Sequence, residues 1–77
     1  MDLNYIKSLD SSNLSEEQMI AMKAHLREGR KHLRYFKESE RHFKYPELRL
    51  KTFDTVQFEK TVPELERIFA ELNIVVK

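Results

Sequence analysis

Cysteine is absent from this 77-residue chain, which excludes disulfides, thiolate metal sites and thiol nucleophiles. Glycine occurs once, so a glycine-rich phosphate loop is excluded as well. No stretch approaches the roughly 18 consecutive apolar residues of a membrane span. The N-terminus, MDLNYIKSLDSSNLSEE, lacks a basic segment followed by an apolar run, so no secretory signal is expected. These absences together predict a cytoplasmic protein that does not engage membranes.

Catalytic patterns are missing too. The chain contains no HExxH and no nucleophile elbow. The neighbouring carboxylates Glu16/Glu17 and Glu64/Glu66 fall where helix N-termini prefer acidic residues. The expectation is a protein that is not an enzyme and has no cofactor, bound metal or small-molecule substrate. Its length fits one small domain whose core is marginal on its own.

What the chain does have is uneven charge. Residues 1–20 sum to −3, residues 21–51 to +6 and residues 52–77 to −2, for a net +1. A basic middle between acidic flanks points to an anionic partner, unless the flanks neutralise it within the fold.

The middle begins with a strong helix signal. In LSEEQM, Ser15 is an N-cap and Gln18 completes a capping box, while Leu14 and Met19 occupy the positions of a hydrophobic staple. Pro46 is the expected stop, because it disfavours helical geometry at Tyr45. Between them Met19, Met22, Leu26, Leu33, Phe36 and Phe43 keep one seven-residue register through Gly29. A turn at Gly29 would shift that register, so one continuous helix over 15–44 is predicted, about 45 Å long at 1.5 Å per residue.

After Pro46 the period shortens. Leu48 and Leu50 alternate with Arg49 and Lys51, which predicts a strand over 48–53. Thr61 with Glu64 forms a second capping box with Pro63 in the first turn, predicting a helix over 62–72 whose apolar face is Val62, Leu65, Ile68, Phe69 and Leu72. Asn73 is the expected terminator, and Ile74, Val75 and Val76 suggest a closing strand. The predicted fold is therefore α+β, one domain over 1–77, with the long helix packed on a C-terminal β-α-β unit. Two parallel strands need completion, either by residues 3–9, which fit a strand or a helical turn, or by a second subunit. The length of the apolar seam likewise predicts a homodimer.

The long helix carries a basic residue at Lys23, Arg27, Arg30, Arg34, Lys37, Arg41 and Lys44, in steps of four and three. On a helix this spacing forms one stripe, about 100° around from the apolar seam. Seven like charges in register repel one another, and a phosphate backbone would offset that repulsion through counterion release. The opposite flank holds His25, Glu28, His32, Tyr35, Ser39 and His42. The spacing of His25, Glu28 and His32 would let them converge on a metal, but no fourth ligand accompanies them.

The stripe predicts a small non-enzymatic nucleic-acid-binding protein. The scarcity of aromatic residues expected at the surface argues against a single-strand stacking platform and for duplex contacts. The alternative is an inhibitor or regulator whose stripe engages an acidic protein surface, since Coulomb attraction alone does not separate the two.

Overall fold

A computed structural model describes residues 1–45 and 50–76. Among these residues it has three helices and no strand: α1 over Leu3–Ser8, α2 over Glu16–Glu40 and α3 over Phe53–Glu71. The regular structure of the described residues is all helix, and the α+β fold with a β-α-β unit is corrected on that ground.

The N-terminal part follows local chemistry closely. Asp2 caps α1 by accepting from the Tyr5 amide at 2.8 Å, which settles residues 3–8 as helix. Ile6 then points inward and is only 1% exposed. At the start of α2, Ser15 Oγ accepts from the Gln18 amide (3.1 Å) and Gln18 Oε1 from the Ser15 amide (2.9 Å). The staple residues Leu14 and Met19 both pack on the core. The helix runs 25 residues without interruption at Gly29, about 37 Å of axis. It stops at Glu40, with Arg41 as C-cap, four residues short of the expected end. Amides of His42 and Phe43 bond the carbonyls of Ser39 and Glu40, three residues back, so the chain leaves through tightened turns.

The C-terminal half departs most from the sequence reading. Thr52, not Thr61, caps α3, accepting from the Thr55 amide at 3.2 Å. Phe53 is helical, and Leu50 is 91% exposed in irregular chain. The part of the predicted strand at 48–49 lies outside the described residues. Thr61 sits inside the helix with its side chain buried. Pro63 lies two residues further on, so α3 forgoes the bond its N–H would give the Glu59 carbonyl. The helix terminates as the sequence indicates. Asn73 adopts φ 57°, the Ile74 amide bonds the Phe69 carbonyl (2.9 Å) and the Asn73 amide bonds that of Ala70 (3.2 Å), which is a Schellman closure. Residues 74–76 form no strand; Val76 is buried by packing on the helices rather than by pairing.

The helices α2 and α3 run antiparallel: His25 meets Thr61, and His32 meets Thr55. The core gathers Met22 and Leu26 of α2, Val62, Leu65, Ile68 and Phe69 of α3, Ile6 of α1 and Val76 of the tail. Burying each such side chain is worth about 1.5–3 kcal/mol. The core thus covers the early part of the α2 seam, while Leu33 and Phe36 are half-buried and Phe43 is exposed. The molecule is elongated, 47 × 24 × 18 Å.

Gly29 explains itself at the crossing. A Cβ placed there would lie 2.5 Å from Val62 Cγ2 and 2.9 Å from Phe58 Cδ1. Val62 is β-branched and stiff, so it cannot easily yield. Gly29→Ala gains about 1 kcal/mol of helix propensity and loses about 1–3 kcal/mol to overpacking. The expected result is a net loss of about 1 kcal/mol and a Tm lower by roughly 4–8 °C. Adding Val62→Ala should cost less in the Gly29→Ala background than in the parent, a coupling that a double-mutant cycle reads directly.

Candidate nucleic-acid interface

Five of the seven stripe residues lie on α2 itself: Lys23, Arg27, Arg30, Arg34 and Lys37. Arg41 caps the helix, and Lys44 falls in the bend beyond it. Lys23 is half-buried and the other six are exposed.

Arg30 is committed to the fold. Its Nε donates to Glu66 Oε1 at 3.1 Å, and its Nη1 donates to the Val76 carbonyl at 2.7 Å, tying the C-terminal tail to α2. Among the described residues no carboxylate pairs with Lys23, Arg27, Arg34, Lys37, Arg41 or Lys44. The acidic C-terminal segment is mostly occupied elsewhere. Arg67 bridges Glu64 and Glu71, and Lys51 pairs with Glu59 at 2.8 Å. Among the described residues Glu38 and Glu40 of α2 and Glu59 and Glu66 of α3 line one groove with Arg34, Lys37 and Arg41.

Lys31 joins the site although the four-three spacing omits it. It lies four residues after Arg27 and three before Arg34, and these three with Arg30 surround a shallow depression of about 330 Å³. Each like-charged pair at such spacing costs a few tenths of a kcal/mol. The depression is therefore a place where an anion relieves existing repulsion. The signal was present in the sequence as a cation neighbouring two stripe members at helical spacing.

A larger groove of about 800 Å³ opens beside the distal half of α2, with Leu33, Phe36 and Val62 at its apolar wall and Arg34, Lys37 and Arg41 on a cationic one.

Aromatic exposure differs from the sequence expectation. Of the eight phenylalanines and tyrosines, Tyr5, Tyr35, Phe43, Tyr45 and Phe53 are exposed. Two of them sit against cations: Lys31 Nζ and Arg34 Cζ lie 5.8 and 5.6 Å from the Tyr35 ring centre, and Lys44 Nζ lies 5.5 Å from that of Tyr45. These distances fall within the cation–π range.

Of the histidine flank, His25 and His32 make internal contacts, while Glu28, Tyr35 and His42 are exposed. His25 Nε2 and the Thr61 hydroxyl share a 2.9 Å hydrogen bond, and His32 Nε2 shares one of 2.7 Å with the Thr55 hydroxyl. Phe58 lies between the imidazoles, with ring centres 5.0 and 5.1 Å away. Both rings thus face α3 and do not converge with Glu28. Among the described residues no group of three or more metal-ligating side chains is placed to hold an ion, and no helix is long and apolar enough to cross a membrane.

No known protein family, curated protein or solved structure matches this chain.

Burial lowers the pKa of His25, and the N-terminal ammonium adds to that while Glu28 opposes it. The unfolded chain therefore binds this proton first as the pH falls. The contribution of His25 is complete above its unfolded pKa of about 6.5 and is lost as pH drops through the lower folded value. Thermal melts should show Tm falling from pH 8 to pH 5.5, with a smaller fall in His25→Asn. A parent Tm that is flat or rises over that interval would contradict this assignment.

Proposed function

We propose that this chain is a small non-enzymatic protein that binds nucleic acid through the phosphate backbone, using the outward face of α2. The observation that carries the reading is the row Arg27, Arg34, Lys37, Arg41 and Lys44, exposed and without carboxylate pairs among the described residues. A solvated helix face ordinarily interleaves signs; this one accumulates charge of one sign on one side. Arginine at three of the five positions supports bidentate contact with phosphate oxygens. Lys31 adds a sixth charge at the depression it shares with Arg27 and Arg34.

Binding of this kind releases counterions, so affinity falls steeply with salt. Contact with about five phosphates gives a log–log slope of about −3.5 on a single strand and about −4.5 on a duplex. An acidic protein surface, the competing partner class, would be recognised by retention of a host protein without retardation of DNA or RNA.

The informative substitution leaves Arg30 alone, because reversing it would break the contacts to Glu66 and Val76. Changing Arg27, Arg34 and Arg41 to glutamate should reduce nucleic-acid affinity at least a hundredfold at low salt, with the helical circular dichroism unchanged. A folded triple variant that binds as tightly as the parent would overturn the reading.

A further inference from the structure

We infer that the nucleic acid taken by this face is single-stranded, with a base stacked on Tyr35 and the adjoining phosphates held by Lys31 and Arg34. The inference rests on the phosphate-binding reading above and adds to it the form of the ligand.

Three observations carry it. The first is the surface of Tyr35, which is 53% exposed and has one ammonium and one guanidinium group within 6 Å of its ring centre. Both cations lie over the ring, so a base that stacks on Tyr35 takes their place while they turn to its adjoining phosphates, the pairing of functions that unstacked nucleotides require. Bases inside a duplex are already stacked on one another and offer side chains only their edges. The second is the surroundings of the ring. Tyr35 borders a groove of about 320 Å³ whose other walls include Phe36, Leu50, His32, Ser39 and Thr52. Apolar surface for a ring thus meets Tyr35 at one rim.

The third is the distribution of charge around α2. A helix seated in a duplex groove meets phosphates along both of its sides. Here Arg27, Arg34 and Arg41 occupy one row with Lys31 on the next, but the row beyond, that of Tyr35, carries the exposed carboxylate Glu28. The second phosphate wall of a duplex would face that carboxylate. A single strand needs cations on one side only, with its bases turned across the helix toward Tyr35. Tyr45, 54% exposed beside Lys44, repeats the ring–cation pairing farther along the chain.

Anisotropy titrations with a fluorescein-labelled 15-nucleotide oligo(dT) and a 15-base-pair mixed-sequence duplex, both at 150 mM salt, test the inference. The parent should bind oligo(dT) at least tenfold more tightly than duplex. Tyr35→Ala should lose about tenfold to a hundredfold on oligo(dT), the range for one stacked base, and leave duplex binding unchanged, whereas Tyr35→Phe should keep the parent's affinity. The position is exposed, so both variants should retain the parent's melting curve. Duplex bound as tightly as oligo(dT), or equal losses on both ligands in Tyr35→Ala, would overturn the single-strand inference and leave the phosphate-binding reading standing. Failure of the parent to bind either ligand even at 50 mM salt would overturn both.

Discussion

The approach of α3 to the backbone of α2 at Gly29 sets the rest of the molecule. Val62 and Phe58 occupy the space where a side chain would be, so the two helices meet at one fixed point and in one rotational setting. That setting turns His25 and His32 inward, against the hydroxyls of Thr61 and Thr55. It also brings Arg30 within reach of Glu66 and the tail carbonyl of Val76. The row of Arg27, Arg34 and Arg41 is left outside, with Lys31 and Tyr35 exposed next to it. The cationic face is thus a consequence of helix packing as much as of the spacing of basic residues.

Charge in the chain is segregated rather than mutually neutralised. The acidic residues after position 52 divide their pairing among Arg67, Lys51 and Arg30, and only the last of these belongs to the stripe. Surface pairs of this kind contribute little to stability, typically under 1 kcal/mol. Their effect here is local, since Glu66 removes one charge from the middle of the row and leaves the outer positions to solvent. The same segregation places the exposed rings of Tyr35 and Tyr45 among cations, which gives the face an aromatic component as well as a charged one.

Local signals in the sequence were legible where they involve neighbours along one helix. The Ser15–Gln18 capping box, the Leu14–Met19 staple and the Asn73 terminator all appear as their spacing requires. So do the apolar positions Val62, Leu65, Ile68 and Phe69. The unbroken α2 follows from the register maintained through Gly29. The failures involve patterns with two physical readings. Thr61 with Pro63 and Glu64 looks like a helix start, yet Thr61 is interior to α3 and meets His25 instead, a contact 36 residues away in sequence. The β-branched tail at 74–76 looks like a strand, but Val75 is exposed, and Val76 is buried by packing onto the helices with its carbonyl held by Arg30. The role of Gly29 is invisible for the same reason, because the atoms that require it come from Phe58 and Val62. For the candidate site, the spacing of basic residues indicated a row whose members Arg27, Arg34 and Arg41 are exposed. The sequence reading left out Lys31, could not show that Arg30 is occupied, and underestimated the aromatic surface.

Under the proposed function, the outer row of α2 is the surface that meets phosphate. Side-chain Nε–Hε resonances of the arginines, followed by NMR during titration with oligo(dT), report on that contact residue by residue. Progressive shifts are expected at Arg27, Arg34 and Arg41, with Arg67 silent in its pairs with Glu64 and Glu71. Shifts centred on Arg67, or resonances of the α2 row that stay fixed while the ligand binds, would contradict it.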